Sequence, residues 1–140
     1  MCVWPPRDGA VAQVVVHDLA QARGALAAAA ACGMRIELRS APDAASYAGV
    51  GYLQALGELA GHELVIDCSD DPGLVMAALR TGCRRLAFTG AAETARRLGE
   101  MAEQVGASLV HETSFPAALV LAPEDDAGRA CRAWLRPREA

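Results

Sequence analysis

Short apolar segments alternate with longer amphipathic ones along this chain, and glycine marks most of the boundaries. A β-branched run at Val11–Val16 predicts a buried strand, and the Asp18-x-x-Gln21 sequence that follows predicts the start of a helix. That helix is expected over Leu19–Cys32 and ends at Gly33. The same order of strand, helix and glycine then recurs.

Four helices of the pattern end in glycine, and a strand follows each glycine directly. The glycines are Gly33, Gly61, Gly82 and Gly106. The further strands are predicted over Met34–Arg39, Glu63–Ile66, Arg85–Phe88 and Ala107–His111, and the further helices over Tyr52–Ala60, Pro72–Thr81 and Ala91–Val105. Repeated strand–helix units are typical of a parallel sheet with right-handed crossovers, and they place functional groups at the carboxyl ends of the strands. We therefore expect an α/β fold.

The repeat weakens towards the end of the chain. Beyond Phe115-Pro116 the pattern predicts one further short strand at Leu119–Leu121 and a terminal helix at Asp126–Leu135. The length of 140 residues is that of one domain. We divide it into a core over 10–112 and a C-terminal extension over 113–140.

Composition and charge exclude several functional classes. A net charge of -4 and an aromatic content of 4% offer neither a basic surface nor stacking platforms for nucleic acid. The longest apolar stretch, Ala25–Cys32, is too short to cross a membrane, and residues 1–9 carry no apolar leader, so a cytoplasmic location is expected. All 13 basic residues are arginines, which excludes lysine Schiff-base chemistry and a Walker-type phosphate loop.

One segment carries a family resemblance. Ala41–Gly49, with the sequence APDAASYAG, and the following Tyr52-Leu-Gln-Ala-Leu56 resemble the SPGAxxYAG…YL pattern of class II, metal-dependent fructose-bisphosphate aldolases. Counterparts of the family segments FNVNNLEQ, LDHG, AGFTSVMIDGS and VEAELG occur in the family's order at Val15–Gln21, Ile66–Ser69, Thr81–Gly90 and Leu109–Thr113. The resemblance runs from about Val11 to Glu112. It implies the first half of a TIM-type barrel, with four β/α units and a fifth strand.

A half barrel is unfavourable as a monomer. It exposes unpaired strand edges and an apolar interior to water. Pairing with a second copy through a two-fold axis would close the sheet and bury both. The resemblance therefore implies a homodimer.

The resemblance also implies a site at the strand ends. Asp67 matches the family's general acid/base, and Cys68 stands where the family has a zinc-binding histidine, which a cysteine thiolate can replace. Glu112 matches a glutamate near the metal. Further candidate ligand-binding residues lie at neighbouring strand ends: His17, Asp18, Ser40, Ser69, Asp70, Thr89 and Gly90.

A simpler interpretation stands beside this site. Residues 67–71 also suit a capped turn whose side chains satisfy the first backbone N–H groups of the next helix. Cys68 also suits a small buried core residue. The family's other two histidine ligands and its phosphate loops belong to the missing half, so zinc is a weaker expectation than no cofactor.

Three functional hypotheses remain open on this basis. The first is a diverged, non-catalytic half barrel that self-associates and binds a small anionic ligand at its strand-end face. The second is a metal-dependent aldolase or lyase with its site assembled at the dimer interface. The third is a flavodoxin-like or receiver-like signalling or nucleotide-binding domain, which requires an open sheet of order 2-1-3-4-5 with helices on both faces.

Overall fold

The structure, a computed structural model, describes residues 11–113 and 118–135. Strands and helices alternate along these residues. The strands are β1 (Ala12–Val16), β2 (Ile36–Ser40), β3 (Leu64–Asp67), β4 (Arg85–Phe88), β5 (Ser108–His111) and β6 (Ala118–Val120). The helices are α1 (Leu19–Cys32), α2 (Ala44–Tyr47), α3 (Val50–Ala60), α4 (Pro72–Thr81), α5 (Ala92–Gln104) and α6 (Ala127–Leu135).

Local side-chain chemistry sets the starts of two helices. The Asp18 carboxylate accepts a hydrogen bond from the Gln21 backbone N–H at 2.7 Å and caps α1. The Asp71 carboxylate accepts one from the Gly73 N–H at 2.8 Å and caps α4, whose first residue is Pro72. Both helices have the bounds that the sequence predicted, because their signals are local.

The six strands form one parallel sheet in the order β5-β4-β3-β2-β1-β6. From β1 to β5 each strand lies beside its predecessor in the sequence, so successive crossovers all advance in one direction. The expected α/β class is confirmed. The order differs from 2-1-3-4-5, which the flavodoxin-like hypothesis requires.

The helices pack against one face of the sheet. Alternate strand residues such as Val14, Leu38 and Leu64 are in register with one another and belong to the core that the helices cover. Neighbouring helices contact each other in the series α6, α1, α3, α4 and α5. Right-handed crossovers that advance in one direction place their helices on the same side, which explains this single layer.

Side-chain contacts on the opposite, helix-free face, against which none of the described helices packs, join strands that are not neighbours. Arg39 on β2 bonds the carboxylate of Glu112, just beyond β5, at 2.6 and 2.8 Å. The two strands are three spacings apart, about 14 Å in a flat sheet. Arginine and glutamate side chains that lean towards each other can span that distance, so this contact links β2 to the end of β5 across β3 and β4.

The C-terminal segment joins the same sheet. Strand β6 pairs with β1, and α6 packs on α1 with Cys131 and Leu135 buried. The described part of the predicted extension, residues 118–135, therefore packs with the core, while Phe115-Pro116 lies outside the described residues. The sequence analysis also did not predict α2, which lies between the second strand and the second predicted helix. Within the described ranges, no helix has the length and apolar character needed to cross a membrane.

Candidate functional site

A buried arginine organises the carboxyl ends of the central strands. The Arg39 side chain is 0% exposed, and its Nη2 donates to Asp67 Oδ2 at 2.8 Å. Its Nη1 and Nη2 also donate to the two carboxylate oxygens of Glu112, in the two-pronged geometry that suits a guanidinium. Two carboxylates from different strands thus meet on one cation. We call these three residues the Arg39 cluster.

The partners of Arg39 keep it charged. Desolvation by burial opposes the charged form, but hydrogen bonds and charge attraction from Glu112 and Asp67 outweigh it and raise the pKa of Arg39. One positive and two negative side chains leave the cluster with a formal charge of -1. Its electrostatics therefore do not attract an anion.

The backbone around Asp67 holds its carboxylate in place. Asp67 Oδ1 accepts the Ser69 N–H at 2.8 Å, and the Asp67 N–H donates to Ser40 Oγ at 2.9 Å. Ser69 adopts a left-handed φ of 52°, which is uncommon for a residue other than glycine. Its hydroxyl donates to the Pro42 carbonyl, and its own carbonyl accepts the Thr89 N–H. Ser40 and Ser69 therefore brace the loops around Asp67.

Cys68 lies on the other face of β3. Its side chain is fully buried in the core under the helices, with Sγ 3.7 Å from the Ile66 carbonyl oxygen. Burial, followed by the negative charge of Asp67, raises the pKa of the Cys68 thiol to about 12. A protonated thiol is a poor zinc ligand. The structure thus does not bring Cys68 together with Glu112 as the expected pair of metal ligands.

The described residues do not fit a catalytic metal. None of their His, Cys, Asp and Glu side chains form a group of three that could hold an ion. Both Glu112 oxygens already accept from Arg39. We therefore derive no chemistry through a zinc ion.

The residues expected at the end of β1 attach the C-terminal segment. His17 Nε2 lies 2.6 Å from the Leu121 carbonyl oxygen, and Asp18 caps α1. Gln21, which is buried, donates to the Ala122 carbonyl at 2.7 Å. These contacts are structural. The sequence analysis placed Gln21 at the start of the helix but did not predict that it bonds the C-terminal segment.

The remaining predicted residues surround an open surface. Asp70 and Thr89 are exposed, and Gly90 bonds His111 Nε2 through its carbonyl at 2.8 Å. A Cβ on Gly90 would lie 2.4 Å from a ring atom of Phe88, so this glycine is needed for close packing. The surface can contact a ligand, but the described contacts do not assemble a reactive group there.

A second polar layer lies below the Arg39 cluster on the helix-free face. Gln13 Nε2 donates to Glu37, and Arg85 forms an ion pair with the same carboxylate. Gln13 Oε1 also accepts from Arg39 Nη1 at 3.3 Å, which joins the two layers. The sequence signal was present, because Gln13 is the one polar position of β1 and Glu37 and Arg39 are the charged positions of β2. Their partners could not be read from it.

No protein-family model, no curated protein and no solved structure matches this chain. The resemblance to class II aldolases accordingly stays a prediction from the sequence. The geometry of the site has to carry the functional argument.

Proposed function

We propose that this chain is a non-catalytic, aldolase-like half-barrel module that self-associates. The observation that carries the proposal is the Arg39 cluster, in which one guanidinium binds both strand-end carboxylates. Asp67 and Glu112 are the residues that the aldolase resemblance assigns to chemistry. Here they are bonded to the protein itself.

The half-barrel part of the proposal rests on topology. Consecutive parallel strands and a single helical layer are features of one side of a β/α barrel. The Arg39–Glu112 ion pair supports the same arrangement, because it joins β2 to the end of β5 on the face where a barrel has its interior. Five of the six strands follow one another in barrel order.

The lack of catalysis follows from the bonding of the acid. A general acid or base needs an oxygen within hydrogen-bond reach of its substrate. Asp67 is 2% exposed, and its two oxygens accept from Arg39 and Ser69. A substrate would have to break the buried ion pair before it could exchange a proton there, which is costly in a low-dielectric site.

Self-association is supported by the edges of the sheet. Val110 on β5 and Val120 on β6 are 56% and 58% exposed, and both lie on the helix-free side. Among the described residues, each of these strands has one neighbour. Unpaired edges with exposed apolar side chains favour association with another strand.

A ligand at the strand-end face is a secondary part of the proposal. The expected site residues bring four carboxylates, those of Asp18, Asp67, Asp70 and Glu112, against the single guanidinium of Arg39. This balance favours a small neutral or cationic molecule over the anionic ligand that the sequence suggested. Thermal-shift measurements with spermidine and with inorganic phosphate separate the two, and stabilisation by phosphate alone would contradict this part.

The metal-dependent lyase is the competing hypothesis. We expect protein purified without chelators to contain no stoichiometric zinc by elemental analysis. Cys83→Ser is the matched control for Cys68→Ser, because both cysteines are buried. Stoichiometric zinc that is lost in Cys68→Ser and kept in Cys83→Ser would overturn the non-catalytic proposal.

Light scattering coupled to size-exclusion chromatography tests self-association directly. We expect the mass of a dimer for the full chain at micromolar concentration. A cooperatively folded monomer of 14.6 kDa across the accessible concentration range would contradict the proposal.

A further inference from the structure

Strand β5 is an end strand of the sheet that the described residues form, and one side of its backbone faces away from β4. In its parallel pairing with β4, the N–H groups of Ser108 and Glu112 donate to Arg84 and Phe88. Backbone groups alternate between the two sides of a strand. Those of Leu109 and His111 therefore point outwards, one on each side of Val110.

The opposite edge of the sheet, strand β6, is better protected against pairing with another strand. Strand β6 has three residues, and the sequence brackets it with Pro116 and Pro123. Short strands and flanking prolines are common ways to prevent edge pairing. Strand β5 has four residues, and its segment Ala107–Thr113 contains no proline, lysine or arginine. The two edges are therefore not equivalent.

Helix α5 leaves one flank free beside β5. Its sheet-facing residues are Ala95, Leu98 and Ala102, and its residues towards α4 are Met101, Gln104 and Val105. Helical spacing places four residues on the remaining flank: Ala92, Arg96, Gly99 and Glu103. A Cβ built on Gly99 meets nothing within 4 Å, so a second helix could approach there closely.

We infer that a second copy of this chain docks on the β5 edge, with a two-fold axis that passes beside Val110 and Gly99. This inference rests on the proposed self-association and names its interface. The two copies of β5 pair antiparallel. Leu109 then exchanges backbone hydrogen bonds with the partner's His111, and Val110 faces the partner's Val110.

The same two-fold axis would bring opposite charges on the two copies of α5 together. A two-fold axis near Gly99 sets Arg96 opposite the partner's Glu103 and repeats that pair on its other side. Glu103 makes no ion pair with any described residue. Arg96 bonds Glu93 and Glu100 of its own helix but stays 56% exposed, so its guanidinium can reach a further carboxylate.

Val110 on β5 and Gly99 on α5 lie at about the same position along the strand direction, so one two-fold axis can pass beside both. Val110 lies two residues, or about 6.6 Å, above the start of β5 at Ser108. Gly99 lies five residues, or about 7.5 Å, above the end of α5 at Gln104. Because α5 descends beside the ascending β5, both points fall at nearly the same level of the sheet. One axis can thus serve both pairs.

Cysteine cross-linking tests the strand pairing. Residues that face each other in a non-hydrogen-bonded antiparallel pair have Cα atoms about 4.5 Å apart, which permits a disulfide. We expect oxidised Val110→Cys to form a covalent dimer. The parent chain and Val120→Cys, on an equally exposed valine of the other edge, should not.

Lysine substitution tests the same edge without oxidation. Val110→Lys should weaken the dimer by about 100-fold, because each copy loses a buried valine and two ammonium groups face each other. Val120→Lys should leave the dissociation constant within about threefold of the parent. Equal weakening by both variants would overturn the assignment to β5.

A charge exchange tests the helix pairing. Arg96→Glu and Glu103→Arg each place like charges on both sides of the axis, so each variant alone should be mainly monomeric. When mixed, they restore opposite charges at both contacts and should form a heterodimer, which also shows that each variant is folded. Two monomers that fail to associate on mixing would contradict the α5 contact.

The outcomes separate this inference from the proposal beneath it. A monomeric parent chain removes both. A dimer that survives Val110→Lys, and that cross-links between Val110→Cys and Val120→Cys chains, keeps self-association but replaces the β5 interface with closure between opposite edges.

Discussion

The central strands and the edge strands of this sheet differ in how far their side chains on one face are buried. Both carry side chains on the face that none of the described helices covers. In the centre, Arg39, Asp67 and Val15 are almost fully buried, and the charged groups bond one another. At the edges, Val110 and Val120 remain open to solvent. The position of the strands explains the difference, because a central strand has a neighbour on both sides, whereas β5 and β6 each have one among the described residues.

This difference indicates which positions can be substituted without loss of stability. A buried charge is tolerated only with its partners, so the centre depends on specific side chains. An exposed valine at an edge adds little to the stability of one copy, and its main effect is on what binds there. Substitutions should therefore act on folding in the centre and on association at the edges.

Removal of the central cation should have the largest effect. Arg39→Met leaves the buried Asp67 and the partly buried Glu112 without their cation, and we expect a loss of about 3–5 kcal/mol in the free energy of unfolding. Urea denaturation measures it. Arg85→Met is the control, because Arg85 is 42% exposed and its pair with Glu37 is better solvated. Equal losses would show that the Arg39 cluster is not special.

A single polar atom introduced among the central strands should lower the free energy of unfolding by less than Arg39→Met does. Val15→Thr keeps the shape of the side chain but buries a hydroxyl at a site that is 0% exposed. We expect a loss of about 1–3 kcal/mol, measured by thermal and urea unfolding. A loss below about 0.5 kcal/mol would mean that water reaches the helix-free face.

Alkaline pH should destabilise the centre through its cysteines. The thiol of Cys68 has a pKa raised from 9.0 to about 12 in the fold, so the unfolded chain loses that proton first as pH rises. Stability is therefore expected to fall from about pH 9 towards pH 12. The slope should be shallower in Cys68→Ala than in the parent. Cys32→Ala, at a partly exposed cysteine, is the control.

Edge substitutions should change folding least. Val120→Thr and Val110→Thr, compared as monomers at high dilution, should alter the free energy of unfolding by less than about 0.5 kcal/mol. The same hydroxyl that harms position 15 should be tolerated here. A loss as large as that of Val15→Thr would erase the distinction between centre and edge.

Prediction from the sequence worked best where the signal was local. Helices α1 and α4 have the predicted bounds because Asp18, Gly33, Asp71 and Gly82 act within a few residues of each helix end. Helix α2 was missed because its four residues carry no cap or amphipathic pattern. The C-terminal segment was set apart because nothing near Leu121 shows that β1 lies beside it.

The candidate site was predicted only in part. Asp67 and Glu112 do lie near each other, as the resemblance implied, but Arg39 between them was not foreseen. Cys68 follows Asp67 in the sequence yet points to the opposite side, since neighbouring residues of a strand alternate between faces. Adjacency in the sequence was therefore misleading for the proposed metal ligands.

The sequence by itself determined the repeated strand–helix units and their caps, because hydrophobic period and capping act over short distances. Only the tertiary structure decided that Arg39 binds two carboxylates, that β6 lies beside β1, and that the margins of the sheet stay exposed. Those outcomes depend on contacts between residues up to 104 positions apart, as between His17 and Leu121. Such contacts form only when the sheet does.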